Sequence, residues 1–425
     1  MALFLKNLNE LKCDIVNMSI LILACLPHFY SLVPNFSSTL LFLIFFICVF
    51  QLVNKKIWMS NSVFLWWLYL CVLFEGSLYS ENFLYAFGFV LRFLILIVYL
   101  SYMPEKNDTD KIIRCYKLFI SISIVSIVAE LFIPDVIRNI RNFLIEHSSY
   151  RHVSFEIIDR RMLFFSSYNG FFADPAVSAF YSAAGVGVGI YYLILNKEKK
   201  MRAFLWMLLS VIGVFLTYKR GPLLSVLFAM LVTFFVVSVN SLEVTIKAFI
   251  KILFISGITV YLFNTNEIVS GWYDRINSNI HSTEGRALMY AELWDNFKNN
   301  PLFGSGTKST KYLLNGIDGH NIYLASLSEH GFFGTIVFIS ALVVSIIETI
   351  KILKVFQKTK QKWSESVTAL CLFMQLYICI YGMTGNPFSN VYSLAMYFMC
   401  VALPLRLNRM LCGTMLVHEI SQKKT

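Results

Sequence analysis

Charge is what this sequence has least of. Asp, Glu, Lys and Arg together make up 14% of its 425 residues, against 57% hydrophobic and 16% aromatic. A soluble protein of this length carries far more charge, so water is not the solvent for most of the chain. Other signals are missing too. There is no Gly-rich phosphate loop of the nucleotide-hydrolysing kind and no paired Cys or His spacing for zinc, so no cofactor and no metal are expected. Neither a repeat of fixed period nor a low-complexity tract occurs. The nine cysteines avoid the two longest polar segments, which excludes a disulfide framework there. Each reads as a small apolar packing residue.

What is present is a succession of apolar runs, covering residues 15–33, 38–53, 57–75, 83–101, 112–133, 171–195, 203–218, 221–239, 244–263, 332–350, 366–384 and 389–407. Their length and regular recurrence predict an all-α integral membrane protein with about 12 transmembrane helices and two long extracytoplasmic loops. The first run follows Lys6 and Lys12 and lacks a small-residue cleavage site, so it reads as a retained signal anchor. The expected order is spans 1 to 5 in residues 1–133, a first long loop at 134–170, and spans 6 to 9 in 171–263. A second long loop at 264–331 follows, then spans 10 to 12 and a tail in 332–425.

The net charge of +11 could suggest nucleic acid, but the placement of the cations follows membrane topology instead. With the N-terminus inside, 23 of the 36 Lys and Arg residues fall in inner segments and 12 in outer ones, with Arg92 left inside a span. Both termini are therefore expected in the cytoplasm, and no nucleic acid partner is expected. The inner connections are short, which leaves any chemistry to the outside or to the membrane.

The second long loop carries a helix signal. Ser282-Thr283-Glu284 gives a start, Ala287, Tyr290, Ala291, Trp294 and Phe297 recur at helical spacing, and Pro301-Leu302-Phe303-Gly304-Ser305-Gly306 ends the element. Its apolar stripe is expected against the membrane surface or the first loop, with the helix capping an outer cavity.

The most informative stretch runs from Gly319 to Gly334. About 20 residues at 1.5 Å each cross an apolar layer of roughly 30 Å, so counting back from Lys351 places residues 320–330 above it. His320 could there take a proton from an attacking hydroxyl, or serve simply as a cap or a satisfied polar residue. Glu329 and His330 lie deeper and are not expected to touch the same group. Arg286, read in the first turn of the loop helix, fits a nearby phosphate because the macrodipole there favours an anion; a local pair with Glu284 or Asp274 is the alternative.

Lys219-Arg220-Gly221-Pro222 puts two cations on the outer side, against the positive-inside bias. Contact with pyrophosphate oxygens would account for them, as would snorkelling to headgroups. Arg92, near the middle of the fourth span, calls for a polar cavity or a partner, Asp174 or Glu130. Asp174-Pro175 exposes a helix start beside the first long loop.

Taken in order, these pieces resemble a known family. About twelve spans, Arg220-Gly221 between two of them, Arg286 followed by Pro301, Gly304 and Gly306, and His-Asn-x-Tyr-Leu before a Glu-x-Gly-x-x-Gly run are similar to the bacterial O-antigen polymerase and O-antigen ligase superfamily. The resemblance covers roughly residues 165–340. One departure is Tyr218-Lys219, where the family often has a small hydroxyl residue. The resemblance implies a GT-C-like fold in the bacterial inner membrane and an inverting, metal-independent glycosyl transfer on the periplasmic face. His320 would be the base, and Arg220, Arg286 and Lys219 would hold undecaprenyl pyrophosphate. Arg92, Asp174, Asn321 and Tyr323 would line the cavity. The implied partners are a lipid-linked glycan donor and acceptor, a chain-length regulator and a flippase.

Polymerisation of repeat units is favoured over ligation to lipid A core. A lipid-oligosaccharide flippase or other transporter fits the span count, but not the long loops or the absence of repeat symmetry. A peptidoglycan polymerase would need a loop carboxylate, for which Asp274 and Asp318 are the candidates. A reporter fused after Thr425 is expected to be active on the cytoplasmic side only; activity outside the cell would refute an even number of spans.

Overall fold

The computed structural model describes residues 2–26, 36–54, 59–102, 109–147, 167–195, 200–238, 280–316 and 319–422. These form fourteen α-helices and one short 3-10 turn at Pro387–Ser389, with no strand among the described residues. In chain order the helices are α1 (Ala2–Cys25), α2 (Phe36–Asn54), α3 (Asn61–Leu78), α4 (Phe83–Ser101), α5 (Thr109–Ala129), α6 (Pro134–Glu146) and α7 (Pro175–Leu195). They continue with α8 (Lys200–Leu216), α9 (Arg220–Ser238), α10 (Ile280–Asn299), α11 (Ser309–Leu313), α12 (Ile322–Lys358), α13 (Lys362–Tyr381) and α14 (Val391–Gln422).

Eight of them are long and apolar enough to cross a membrane: α3, α4, α5, α7, α9, α12, α13 and α14. Two shorter apolar stretches, Asp14–Cys25 and Phe36–Phe50, coincide with the first two expected spans. The seventh falls on α8, and the ninth, 244–263, lies outside the described residues. This is a multi-pass helical membrane protein. The expected loop at 134–170 begins with a helix, α6, started by Pro134 at its first turn.

Composition sorts the helices by depth. In α7, α13 and α14, 78%, 72% and 89% of the apolar window is buried, against 39% to 56% in the other five, so these three form the interior and the rest present one face to lipid. The small residues of α7 explain how closely it packs. A Cβ at Gly185 would strike Ser210 and Ile124, and one at Gly189 would strike Met207, so α8 and α5 approach to distances that only glycine permits. Around Trp66, whose indole donates to Ser345 Oγ at 3.1 Å, the rings of Tyr69, Phe93, Phe338, Phe388 and Phe398 fill the space between α3, α4, α12 and α14.

The bundle has two chemically distinct ends. At the lower end Lys111 pairs with Asp14 at 3.1 Å, Lys117 and Arg202 stand over the rings of Tyr191 and Tyr192, and Lys354 and Gln357 donate to Val236 O and Val237 O near the end of α9. Arg406 is buried, bonded to Tyr99 and Asn17. The upper end gathers the turns 79–82, 167–174, 217–219, 300–316, 319–321 and 382–390.

The element that organises the upper end is α12. Its 37 residues are too many for one crossing of a roughly 30 Å layer, and the excess lies above a break at Gly331 (φ 62°, ψ −164°). That break costs the helix the bonds from the amides of Phe332 and Phe333 to the carbonyls of Ser328 and Glu329. The segment Pro301–Gly306 replaces all of them: Phe332 and Phe333 donate to Pro301 O and Leu302 O at 2.9 and 3.4 Å, while Ser305 and Gly306 donate to Ser328 O and Glu329 O at 3.0 and 2.9 Å. Two backbones can lie this close only without side chains between them. A Cβ at Gly304 or Gly331 would come within 2.4 Å of the opposing main chain, and both have positive φ.

Gly304→Ala and Gly331→Ala are each expected to cost about 3 kcal/mol or more, read as a lowered Tm in detergent. Gly316→Ala has the same left-handed backbone but open space around it, and is expected to cost only about 1 kcal/mol. Equal effects at the three sites would refute the close-contact account.

Candidate functional site

The turn that starts α12 is fixed from three sides. Asn321 caps the helix, its Oδ1 accepting from the amides of Tyr323 and Leu324 at 2.9 and 3.1 Å. Ile322 N donates to Gly382 O at 2.9 Å, and Tyr323 OH donates to Cys379 O at 2.7 Å, which ties the start of α12 to the end of α13. His320 precedes the cap and is half-buried, while Tyr290 OH of α10 donates to its carbonyl at 3.4 Å. Asn321, not His320, is thus the capping residue.

Above this turn lies α10, and Arg286, Tyr290 and Leu293 occupy one of its faces at spacings of four and three. Leu293 is fully buried, close to Gly319, so the face that carries Arg286 is the face turned toward His320. Two expectations about this helix are corrected. It begins at Ile280, so Arg286 sits in the second turn, where the dipole argument loses most of its strength. The packed stripe is Tyr290, Leu293 and Phe297, while Ala287, Ala291 and Trp294 are exposed; Leu293, not a symmetric apolar stripe, decides which side docks. Asp274 and the side chain of Glu284 lie outside the described residues.

The Tyr381–Thr384 turn is the point on which the candidate residues converge. The carboxylate of Asp174 and the guanidinium of Arg286 both act electrostatically on the Tyr381 hydroxyl. Gly221 packs directly against Thr384 and Tyr381, which sets Arg220, the exposed first residue of α9, beside the same turn. Lys219 is half-buried next to it. Four separate elements, α7, α9, α10 and α12, therefore deliver Asp174, Arg220, Arg286 and His320 to one small region at the upper end. Sequence reasoning missed Tyr381 and Thr384; the Gly385-Asn386-Pro387 turn signal just beyond them marked the place.

Asp174 holds its own helix start, with Oδ1 accepting from Ala176 N at 2.9 Å and its carbonyl accepting from Val177 and Ser178. The segment leading to it is clamped by a buried ion pair between Glu130 and Arg141, both fully buried. Glu130 also accepts from the amides of Asn169 and Gly170 at 2.8 and 2.7 Å, and Arg141 donates to Gly170 O at 3.3 Å. The suggested pairing of Arg92 with Glu130 or Asp174 is therefore wrong: one carboxylate is committed to Arg141 and the other caps α7. Burial and then the Glu130 charge push the Tyr168 phenol above its ordinary value.

A second polar feature lies nearby. Tyr69, Phe89, Lys308, Ser326, Glu329 and His330 line a cavity of about 30 Å³, room for one or two waters. Thr310 Oγ1 donates to the Glu329 carboxylate, and Thr307 Oγ1 meets His330 Nε2 at 3.4 Å. Asn296 Nδ2 bridges Ser305 Oγ and Ser328 Oγ at 2.7 and 2.6 Å, tying α10 to the Pro301–Gly306 segment and to the arm of α12 before the break. Tyr79, whose hydroxyl is pushed up to about 12 by burial and then by Glu75, stays protonated and donates to Phe303 O at 3.1 Å. Glu329 and His330 thus belong to the joint that carries the site. Asp110 is remote from it, on the lower end, where it bonds to Arg114 at 2.9 Å.

Fold and site together define a multi-pass helical membrane protein with cations and a histidine gathered at one end of the bundle. Residues 203–339 match the family model described as O-antigen ligase, a stretch that contains Arg220, Arg286 and His320. The match covers 137 of 425 residues and supports the O-antigen ligase and polymerase superfamily, and with it a function of that general type. No curated protein matches the chain.

Arg141→Met is expected to destabilise the protein by about 3–5 kcal/mol, because it leaves Glu130 buried without its partner. Glu130→Gln combined with Arg141→Met is expected to recover part of that loss in thermal unfolding. A single variant as stable as the wild type would remove the clamp from the account.

Proposed function

We propose that the protein polymerises undecaprenyl-pyrophosphate-linked oligosaccharide repeat units at the periplasmic face of the inner membrane, by inverting glycosyl transfer without a metal or cofactor. The observation that carries this reading is the convergence of Asp174, Arg220, Arg286 and the His320 turn on Tyr381–Thr384. In the reaction the acceptor hydroxyl oxygen bonds to the anomeric carbon of the donor sugar, and its proton passes to the His320 imidazole. The bond from that carbon to the phosphate oxygen breaks with inversion, and the lipid pyrophosphate leaves with the electron pair. Arg220 and Arg286, with Lys219, stabilise the charge that develops on the departing oxygens, while Asn321 and Tyr323 hold the turn that positions the histidine. Tyr381, within electrostatic reach of the Asp174 carboxylate and the Arg286 guanidinium, offers its hydroxyl to orient the sugar. A GT-C-like arrangement, with helices packed in the bilayer and the reacting groups on the loops above, accommodates these roles.

The second reading is ligation of finished polysaccharide to lipid A core, favoured by the wording of the matched family model. Deletion of the gene separates the two: a polymerase leaves surface antigen with a single repeat unit, and a ligase leaves none. His320→Ala is expected to reduce polymer at least about 100-fold with the protein still in the membrane, and Arg220→Ala or Arg286→Ala nearly as much. Wild-type chain length in the His320→Ala strain would show that this histidine is not the base. Purified protein should turn over lipid-linked repeat units in EDTA, and loss of turnover with the chelator would contradict a metal-free mechanism.

A further inference from the structure

One face of α4 carries a row of cations that the site at Tyr381–Thr384 does not use. Tyr85, Gly88, Phe89 and Arg92 share that face by their spacing. At its top Lys311 stands 4.8 Å over the Tyr85 ring and donates to the Tyr85 hydroxyl at 2.9 Å. One turn lower Lys308 stands 4.2 Å over Phe89 while donating to Ser389 Oγ at 2.8 Å. Lower again is Arg92, half-buried near the middle of a membrane span, with no hydrogen bond or ion pair among the described residues.

The space beside Arg92 is open. A Cβ built at Gly88, one turn above it, would meet nothing within 4 Å. Helical side chains incline toward the N-terminus, and α4 has its N-terminus at the upper end, so the Arg92 side chain inclines upward along this open face. Seven residues separate Tyr85 from Arg92, roughly 10 Å along the axis. Two carboxylates flank the row, Glu81 exposed at the rim and Glu329 on the inner wall beside Lys308. They leave the excess positive, and Arg92, the deepest of the three, has no carboxylate paired with it among the described residues.

A cation at that depth without a partner is costly, and a phosphate arriving on a lipid would remove the cost while its hydrocarbon chain stays in the bilayer. Leu84, 80% exposed on the same helix, offers an apolar flank for such a chain. We propose that this face of α4 is a second anionic-lipid site, taking the pyrophosphate head of a prenyl-linked molecule between Lys311 and Arg92. On the polymerase reading, on which this identification of the occupant rests, the molecule is the second lipid-linked glycan, the acceptor.

The test counts binding sites and does not depend on turnover. Farnesyl pyrophosphate is titrated into purified full-length protein in detergent and followed by native mass spectrometry, in parallel with inorganic pyrophosphate and phosphatidylglycerol. The wild type should bind two molecules of farnesyl pyrophosphate. Arg92→Gln and Lys311→Gln should each weaken one of the two by about tenfold or more, and the double variant should bind one. Lys311→Gln, an upper-end change, keeps the test valid if Arg92→Gln proves unstable. Unchanged binding of two molecules by the double variant would overturn the site. Equal competition by inorganic pyrophosphate would overturn a lipid as its occupant, and equal binding of phosphatidylglycerol would overturn a prenyl pyrophosphate. Failure of Arg286→Ala to remove the other molecule would instead count against the pyrophosphate role of Arg286 and leave the α4 site standing.

Discussion

The upper end of this protein depends on an exchange of backbone hydrogen bonds at Gly331. A helix broken in a membrane protein must find partners for its freed amides and carbonyls, because lipid supplies none. Here Pro301–Gly306 supplies them, donating to Ser328 O and Glu329 O and accepting from Phe332 and Phe333. The exchange couples two things that sequence keeps apart: the end of α10, which carries Arg286, and the arm of α12, which begins at His320. Asn296 and Thr310 reinforce the same joint with side-chain bonds to Ser328 and Glu329. Moving either segment means breaking the bonds of both.

A rigid joint above the membrane suits a reaction between substrates anchored in it. The long α12 exceeds the length one crossing needs, and its arm beyond Gly331 carries the His320 turn at the upper end. Backbone contacts with Gly382 and packing of Gly221 on Thr384 then bind the start of α12 and the start of α9 to the same turn of α13. The Glu130–Arg141 clamp does the same for the approach to α7. Asp174 and Arg220 thus stand at helix ends held by main-chain contacts and close packing, which limits how far they can drift. Arg92, outside that site, stands instead in the middle of α4.

Much of the fold was readable without coordinates. Apolar runs long enough to cross a bilayer found α3, α4, α5, α7, α9, α12, α13 and α14, because crossing lipid imposes a length and a composition that few other structures need. Arg220 was singled out as a cation on the wrong side of the charge bias, Arg286 as a cation near a helix start, and His320 by counting back along its span. Pairings were not. Glu130 looked available to Arg92 because both stand at span positions, yet Arg141, eleven residues along the chain from Glu130, holds it, in a loop that gave no sign of the helix α6. The exposed Trp294 and buried Leu293 were likewise misread, since a short amphipathic stripe does not say which neighbour it meets.

By itself, then, the sequence determined the solvent, the helices and the kinds of charge found between them, because hydrophobic length and residue type are local properties. The glycine pattern Pro-x-x-Gly-x-Gly was visible as a stop, but its purpose was not. Only the tertiary structure decided that Gly304 and Gly331 face each other, and that α7, α9, α10 and α12 end around Tyr381. It also decided that Arg92 pairs with neither Glu130 nor Asp174. The physical reason is that closeness of backbones and the partnering of buried charges depend on residues far apart in the chain, which spacing along the sequence does not encode.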